Sequence, residues 1–391
     1  MITVAEALDH LFALVTPLTS ETVPLRQAAG RVLTAPVTAT RAQPPFDASA
    51  MDGYAVTGRE PNRGATYKIV GTSAAGSGFF GELRPGEAVR IFTGAPVPPG
   101  GTHIVIQEDA EVDGTALRFA PDYDWNGQYI RRKGCDFPAG FLLDAPRRLR
   151  PTDVALLASM NAHEVQVARK PVVAIIATGN ELVQPGETPG DDQIFTSNTF
   201  ALAAMVDAAG GQPRVLPIAR DDLKSLEQAF ALAEGADLIV TIGGASVGDH
   251  DLVAEAADAH GMERSFYRIL MRPGKPLMAG RMGRSMMLGL PGNPVSSIVC
   301  GHVFMLPVLA ALQGLPPAPA PRETAHLGVA LPQNGPREHY MRAKRTPDGI
   351  VPFDRQDSSL LTLMTQADVL MVRPPKAPPA KPGDPVDILP L

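Results

Sequence analysis

The chain has 391 residues, which is too long for one ordinary hydrophobic core, so we expect about two to four domains. Its formal net charge of −6 and isoelectric point near 5.8 argue against a nucleic-acid partner, because broad nucleic-acid binding needs a basic field. The composition, with 45% hydrophobic and 19% charged residues, is typical of a soluble globular protein.

The first predicted element is an amphipathic helix near the N-terminus. Thr3 and Glu6 have the spacing of a capping box, and apolar residues follow at helical intervals. The acidic residues of this stretch and its lack of a basic start argue against a signal peptide or a membrane anchor. The two cysteines, Cys135 and Cys300, lie far apart, which argues against a disulfide framework or a structural zinc site. We therefore expect a cytoplasmic protein with no membrane partner.

The region after this helix is predicted to be rich in β-structure. Between residues 20 and 168, short alternating apolar runs such as YAVTG and HIVIQE are separated by proline and glycine turns. We expect an N-terminal region over 1–168 that contains a β-rich domain at about 45–140. Three of its loops carry acidic and hydroxyl side chains: PPFDASAMDGYAV, RIFTGAPVPPGG and YIRRKGCDF. Such side chains also occur in ordinary turns and on solvated surfaces without any function.

The clearest predicted domain is an α/β unit over 169–315. Short apolar runs alternate there with helical segments, which is typical of a parallel sheet covered by helices in three layers. Strands are predicted at PVVAIIATG, QPRVLPIA, ADLIVTIGG, YRILM, KPLMAG and MMLGL. Helices are predicted at SNTFALAAMVDAAGG, at DDLKSLEQAFALAEG, and from GNPVSS towards Gln313, with a kink at Pro307. The strand ends with glycines should meet at one edge, where open α/β folds bind ligands.

An extended proline-rich linker, PPAPAPRE, follows the α/β unit at 316–323. The tail over 322–391 alternates short strands with turns, and we expect it to form a small C-terminal β domain. The predicted fold class is therefore a multi-domain protein with one α/β unit between β-rich units.

The most informative motif is DLIVTIGGASVGDHD at 237–251, where a strand-like run ends in a glycine-rich turn followed by acids. Such a turn lets backbone N–H groups approach a phosphate, and carboxylates beside it suit a metal ion. The alternative is that the glycines are present only because the turn needs residues with positive φ, with no ligand involved. The candidate phosphate-binding residues are Gly243, Gly244, Ser246 and Gly248, and the candidate metal ligands are Asp249 and Asp251.

Glu181, in ATGNEL, follows the first predicted strand and is placed at the same sheet edge. Glu181 and Asp251 could converge on one Mg²⁺, because this ion prefers oxygen ligands that it shares with substrate phosphates. The alternative for Glu181 is a turn or helix-capping carboxylate.

Two further motifs can supply positive charge or free N–H groups to an anion. MRPGKP places Arg272 and Lys275 beside a Pro-Gly turn, where an ordinary turn lysine is the alternative. LPGNPVSS predicts the N-terminus of a helix, whose free N–H groups can face an anionic ligand. The alternative is that the proline and asparagine only mark the start of the helix. The candidate residues of the second motif are Pro291, Gly292, Asn293 and Pro294.

These motifs occur together, in one order, over nearly the whole chain. PPFDASAMDGYAV, RIFTGAPVP, YIRRKGCDF, ATGNELV, GGASVGDHD, MRPGKP and LPGNPVSS resemble those of the molybdopterin molybdenumtransferase (MoeA) family and of the C-terminal portion of gephyrin. The resemblance implies an elongated homodimer with a molybdopterin-binding α/β domain, two N-terminal domains and a C-terminal β-barrel. It also implies an active site shared between the α/β cleft of one subunit and the β-rich domain of the other.

The resemblance assigns roles to residues by motif match. Asp52, Thr93 and Asp136 match the residues that the other subunit contributes. Glu181, Asp251 and Lys275 match the residues of the cleft. Arg272 departs from the family, which often has lysine there, and FTSNTF at 195–200 lacks an aromatic residue and an arginine that many relatives have.

The implied reaction takes adenylylated molybdopterin and molybdate, cleaves the phosphoanhydride with Mg²⁺ bound, and leaves molybdenum on the dithiolene sulfurs while AMP is released. Molybdopterin adenylyltransferase and cofactor-maturation proteins are the implied partners beyond the second subunit. Two alternatives stay open. An adenylyltransferase-type enzyme or nucleotide pyrophosphatase could use the same cleft, but it would not need SAMDGYA and TGAP. A non-catalytic gephyrin-like scaffold would not need Glu181 and Asp251.

Overall fold

The structure is a computed structural model that describes residues 1–58, 65–119, 123, 125, 127–244 and 252–391. Four residues of the predicted phosphate and metal site, Ser246, Gly248, Asp249 and Asp251, lie outside this set. The described part confirms the predicted class, because one α/β unit and several β-rich units are present.

The N-terminal helix spans Val4–Leu14 and confirms the predicted capping box. The Thr3 hydroxyl accepts a hydrogen bond from the Glu6 N–H at 3.2 Å, and the Glu6 carboxylate accepts one from the Thr3 N–H at 2.7 Å. The apolar face of the helix is buried in the same core as the α/β sheet. This helix therefore ties the start of the chain to the α/β unit.

A small antiparallel sheet connects the α/β unit with the β-rich domain. The helix Pro151–Ser159 packs on this sheet through a shared apolar core. The buried carboxylate of Asp153 accepts a hydrogen bond from the Arg150 N–H at 2.8 Å, which holds the first turn of that helix. In spatial order the strands of the sheet are Ser20–Pro24, Glu164–Ala168, Val32–Leu33 and Arg147–Arg148.

The β-rich domain contains a six-stranded sheet over the described residues. Its pairs are antiparallel, except that Tyr67–Ser73 and Glu87–Ile91 run parallel. A two-stranded ladder of Ala48–Ser49 and Ile130–Arg131 adds to it. In spatial order the strands of the large sheet are His103–Ile106, Gly53–Val56, Glu87–Ile91, Tyr67–Ser73, Ala116–Phe119 and Ala110–Asp113.

The central sheet of the α/β unit has six strands over the described residues, called first to sixth in chain order. The first, second, third and sixth strands are parallel to one another. The fifth strand pairs antiparallel with the sixth, and the fourth pairs antiparallel with the fifth at the edge, so the predicted parallel sheet is a mixed one. The turn between the fifth and sixth strands is too short for a parallel crossover. The strands are Val172–Ala177, Gln212–Val215, Leu238–Ile242, Met262–Arg268, Pro276–Met282 and Ser285–Leu290.

Helices pack on both faces of the central sheet, which separates two apolar cores. The last helical segment contains a π-helical turn, Gly301–Met305, just before Pro307, because that proline has no N–H to donate. Among the described helices this segment, Pro294–Leu312, alone is long and apolar enough to cross a membrane, and 78% of its apolar window is buried. The helices are Asn198–Ala208, Leu223–Leu232, Leu252–Ala259, Pro294–Cys300 and Leu306–Leu312.

The C-terminal domain forms a closed β-barrel in the described part of the chain. A bridge between Leu327 and Ile350 joins the two outer strands and closes the ring. Met271–Arg272 pairs with the barrel and not with the central sheet, so the predicted strand at YRILM is divided between the two units. In order around the barrel the strands are Gly349–Pro352, Glu338–Thr346, Val369–Arg373, Pro385–Pro390 and Glu323–His326.

Candidate functional site

Three parallel strands of the central sheet end in register. Ala177 is paired with Ile242, and Ile242 is paired with Leu290. The ladder continues one residue further, because the Thr178 N–H donates to the Ile242 carbonyl at 3.0 Å and the Gly243 N–H donates to the Leu290 carbonyl at 3.1 Å. The predicted meeting of the glycine-rich strand ends at one sheet edge is therefore confirmed.

Two glycines at this edge, Gly243 and Gly244, leave no room for a side chain. Gly243 has φ of +96°, and a Cβ atom there would lie 2.7 Å from the Thr178 carbonyl oxygen. Gly244 has φ of +70°, and a Cβ atom there would lie 2.1 Å from a methyl group of Val253. A Cβ atom at Gly292 would lie 3.5 Å from the Gly243 Cα atom, so the third-strand and sixth-strand loops touch. Side chains are thus excluded at Gly243 and Gly244.

Glu181 lies at the same edge as the Gly243 turn. The first strand ends before Gly179, and the Glu181 carboxylate turns back over this glycine, where a Cβ atom would lie 2.4 Å from Oε2. Glu181 is exposed, and its carboxylate accepts no hydrogen bond from the part of the chain that the structure describes. The nearby Asp221 carboxylate, in contrast, accepts the Asn180 N–H at 3.3 Å. Glu181 is therefore available to bind a cation or a substrate group.

Lys275 also lies at this edge, for a different topological reason. It directly precedes the fifth strand, which runs antiparallel to the sixth, with Met278 paired to Gly289. The start of the fifth strand therefore lies beside the end of the sixth, next to Pro291. Lys275 is half-buried and forms no ion pair with a described residue. The structure brings Glu181, Lys275, Gly243, Gly244 and Pro291 to one edge.

The helix start at Asn293 is confirmed, but its contacts differ from those expected for a free anion site. Asn293 occupies the N-cap position, and its side chain donates to the Ser358 hydroxyl at 3.0 Å instead of capping the helix. The Val295 N–H donates to the Ser358 carbonyl at 3.0 Å. One N–H of the helix start is therefore already used by the barrel. Asn198 adds a second contact from the side, since its amide donates to the Gly292 carbonyl at 2.6 Å.

The C-terminal barrel brings positive charge to the place where it meets the edge of the central sheet, called the junction below. Arg272 is paired in the ladder with His339, and Arg342 is fully buried with hydrogen bonds to the carbonyls of Leu360 and Arg355. Burial, reinforced by the arginines around it, lowers the pKa of His339 to about 4, so this imidazole is neutral at pH 7. Sequence reasoning identified only Arg272 here. The others come from a distant segment without a local motif.

Asp52 and Thr93, which match residues that the other subunit contributes to the site, contact each other in the β-rich domain. The Asp52 carboxylate accepts the Thr93 N–H at 2.7 Å and the Thr93 hydroxyl at 2.9 Å. These two hydrogen bonds, the N–H first, lower the pKa of Asp52 below its ordinary value. Gly53, next to Asp52, begins a strand, where a Cβ atom would lie 1.9 Å from the Val105 carbonyl oxygen.

Asp136 is exposed on a loop that contacts Gln43. Its N–H donates to the Gln43 carbonyl at 3.0 Å, and no hydrogen bond between described residues joins its side chain to Asp52 or Thr93. The neighbouring basic run is partly neutralised, because the Asp47 carboxylate accepts the Arg132 guanidinium at 2.7 Å. No hydrogen bond or ion pair of the described residues links this group to the sheet edge within one chain.

The described residues contain no group of three histidine, cysteine or acidic side chains that could hold a metal ion. Two of the three predicted ligands, Asp249 and Asp251, lie outside the described set, so only Glu181 is placed. Cys135 is exposed, and Cys300 is buried in the last helical segment, as expected for a core residue. A Cβ atom at Gly274 would lie 2.5 Å from the Cys300 sulfur, which shows how tightly the MRPGKP turn packs.

Comparison with known proteins identifies the family. Residues 2–161 match the MoeA N-terminal region (domain I and II), 174–311 match a probable molybdopterin binding domain, and 324–391 match the MoeA C-terminal region (domain IV). A relative from Nostoc, named molybdopterin molybdenumtransferase, is 34% identical over 96% of this chain and 90% of its own length. The chain belongs to the MoeA family.

Further relatives agree with this family. Molybdopterin molybdenumtransferase 2 of Mycobacterium tuberculosis is 37% identical, with 82% of each chain covered. A crystal structure of a molybdopterin biosynthesis MoeA protein from Pyrococcus horikoshii has 29% identity and a TM-score of 0.79, with 99% of this chain and 98% of that chain covered. The resemblance drawn from the seven motifs is confirmed, and the fold extends over the whole MoeA relative.

Proposed function

We propose that this chain is a molybdopterin molybdenumtransferase, which inserts molybdate into adenylylated molybdopterin and releases AMP. The observation that carries the proposal is the convergence of three parallel strand ends with Lys275 and Glu181 at one edge of the molybdopterin-binding unit. Backbone without side chains at Gly243 and Gly244 suits an anion, and a lysine without a described ion-pair partner lies at the same edge. Membership in the MoeA family supports the same reaction.

The residues have separate roles in the proposed reaction. The backbone N–H groups of Gly244, Gly292 and Asn293 bind and orient the phosphates, since those of Gly243 and Val295 already donate to the Leu290 and Ser358 carbonyls. Lys275 balances negative charge that shifts as the phosphoanhydride is cleaved. Arg272 and the neighbouring arginines of the barrel keep the junction positive, which favours an anionic substrate and molybdate. No covalent nucleophile from the protein is needed, since water or a molybdate oxygen can attack the phosphoanhydride as it is cleaved and AMP is released.

Mg²⁺ is part of the proposal, and the donor chemistry of the placed ligand fits it. Glu181 offers a carboxylate that no described residue occupies, at the edge where the phosphates would lie. Asp249 and Asp251, outside the described residues, would complete the ligand set. When bound, Mg²⁺ would neutralise phosphate charge and polarise the bond that is cleaved.

We propose that the working enzyme is a homodimer in which Asp52, Thr93 and Asp136 of one subunit complete the cleft of the other. The absence of a described link between the two groups within one chain supports this arrangement. A cytoplasmic location, exchange with molybdopterin adenylyltransferase and cofactor-maturation proteins, and domain limits of 1–168, 169–315 and 322–391 belong to the same proposal.

The paired contacts of Asp52 and Thr93 favour this reaction over the two alternatives. An adenylyltransferase that works with the α/β cleft alone has no use for this pair. A scaffold without activity has no use for a carboxylate held in its charged form and for an unoccupied Glu181.

The test is reconstitution with purified protein, adenylylated molybdopterin, molybdate and Mg²⁺. We expect AMP release and a product that activates an apo-molybdoenzyme, with at least about a 100-fold loss for Glu181→Gln. Glu227→Gln, an exposed glutamate on the helix Leu223–Leu232, is the matched control and should keep full activity. AMP formed from ATP and free molybdopterin would instead show an adenylyltransferase, and a monomer mass by light scattering would contradict the shared site.

A further inference from the structure

Arg90 lies between two aromatic rings next to the Asp52–Thr93 pair. It is on the strand Glu87–Ile91 and is paired across the sheet with Tyr54. Its guanidinium carbon lies 4.9 Å from the centre of the Tyr54 ring and 4.8 Å from that of the Phe92 ring. Both distances are within the range of favourable cation–π contacts. The guanidinium is therefore held in one plane by its neighbours.

The two terminal nitrogens of Arg90 reach both sides of the Asp52 loop. Nη1 donates to the Gly53 carbonyl at 3.1 Å, and Nη2 donates to the Gln107 side-chain oxygen at 2.7 Å. The Gln107 N–H in turn donates to the Asp52 carbonyl at 3.1 Å. Two consecutive carbonyls, those of Asp52 and Gly53, are thus fixed either directly by Arg90 or through Gln107.

Arg90 also reaches the other half of the pair along its own strand. The strand ends at Ile91, so Phe92 and Thr93 begin the following turn, and the Phe92 ring packs on the guanidinium. One side chain therefore contacts the segment that carries Asp52 and the segment that carries Thr93. The hydrogen bonds between Asp52 and Thr93 depend on the relative position of these two segments.

We propose that Arg90 is a positioning residue for the transfer reaction, holding Asp52 and Thr93 in the geometry that the partner cleft requires. This inference rests on the proposed function, because it assumes that the pair takes part in transfer. The contacts of Arg90 are with the residues around the pair, Tyr54, Phe92, Gly53 and Gln107, so it acts through them. A lysine cannot replace it fully, since a single ammonium has neither the planar face for two rings nor the fork for two separate acceptors.

The first test measures catalysis in Arg90→Gln and Arg90→Lys. We expect kcat to fall about tenfold in Arg90→Gln and less in Arg90→Lys, while KM for adenylylated molybdopterin changes less than about twofold. In an Asp52→Asn background, Arg90→Gln should add less than about a twofold further loss, because Arg90 acts through Asp52. Losses that multiply in the double variant would overturn the proposal. Arg118→Gln, an exposed arginine of the same sheet, should leave kcat unchanged.

The second test does not depend on the proposed function. Hydrogen exchange of the Thr93 N–H, followed by NMR, should be about tenfold faster in Arg90→Gln and unchanged in Arg118→Gln, because the bond to Asp52 opens more often. Unchanged exchange in Arg90→Gln would overturn the positioning role even if activity falls. If the wild-type protein transfers no molybdenum, the proposed function fails, whereas this measurement still decides the role of Arg90.

A milder variant covers the case in which Arg90→Gln does not fold. Gln107→Ala removes one acceptor of the guanidinium fork but leaves both ring contacts and the bond to Gly53. We expect an intermediate increase in Thr93 exchange and an intermediate loss of kcat. Exchange and kcat both equal to wild type in Gln107→Ala would contradict the proposed link through Gln107.

Discussion

The two halves of the proposed site are built in different ways. At the edge of the central sheet, strand register brings Glu181, the Gly243 turn and Lys275 together, and the functional side chains have few partners in the described chain. In the β-rich domain, Asp52 and Thr93 are held by direct side-chain hydrogen bonds and by the Arg90 contacts.

This difference shows how each half can fail. At the sheet edge, neighbouring backbone segments lie too close together for side chains, so replacing a glycine there should lower the stability of the fold. The Asp52–Thr93 pair depends on hydrogen bonds at an exposed loop, so its variants should damage chemistry and leave the fold intact.

The largest effect is expected for Gly243→Ala. The added Cβ would meet the Thr178 carbonyl at 2.7 Å in a backbone that already has φ of +96°. We expect the free energy of unfolding to fall by about 2–4 kcal/mol, measured by chemical denaturation. The control is Gly235→Ala, which has φ of +79° and no atom within 4 Å of the new Cβ, and should lose about 1 kcal/mol. Equal losses would show that close approach does not matter at the edge.

The next largest effect is expected for the activity of a variant of the Asp52–Thr93 pair. Asp52→Asn keeps an acceptor for Thr93 but removes the negative charge, so we expect kcat to fall about 100-fold with unchanged denaturation behaviour. Asp113→Asn, an exposed acid in the same sheet, is the control. A stability loss in Asp52→Asn as large as that of Gly243→Ala would erase the distinction between the two halves.

A smaller effect is expected in the pH dependence of Thr93→Val. The pKa of Asp52 is held below its ordinary value first by the Thr93 N–H and second by the Thr93 hydroxyl. Removing the hydroxyl raises this pKa, so the carboxylate is protonated at higher pH and the acid limb of the kcat profile should move upwards. The N–H bond remains, which keeps the change modest. Thr72→Val, at an exposed threonine of the neighbouring strand, should leave the limb in place, and a shift to lower pH in Thr93→Val would contradict the assignment.

The smallest effect is expected where the sheet edge meets the barrel. Asn293→Ala and Ser358→Ala each remove the same hydrogen bond of 3.0 Å and should each lower the free energy of unfolding by about 1 kcal/mol. The double variant should lose little more than either single variant, because the bond is shared. If the losses of stability in the two single variants add up fully in the double variant, the two side chains act independently. This hydrogen bond would then not couple the sheet edge to the barrel.

Much of the fold was predictable because its signals are local. The capping box of Thr3 and Glu6 and the buried strand runs follow from side-chain spacing. The mixed central sheet was not predicted, since the reversed direction of the fifth strand depends on pairing partners that periodicity does not reveal. The division of YRILM between two units has the same cause.

The candidate site was predictable to the extent that its residues lie in motifs. Strand ends that carry glycines had to meet once the strands were parallel, which placed Gly243, Gly292 and Glu181 at one edge. Ser358 and His339 were missed, because they reach the junction from a segment with no motif of its own. Arg90 was missed because its role depends on two rings and two acceptors that only folding brings around it.

The sequence by itself determined the family, the order of the units and the positions of the functional motifs, because each of these is written in short-range patterns of residue type. Only the tertiary structure decided which backbone segments approach so closely that glycine is required, how the barrel closes, and which arginines meet at the junction. Those features depend on contacts between residues far apart in the chain, whose energies local patterns do not contain.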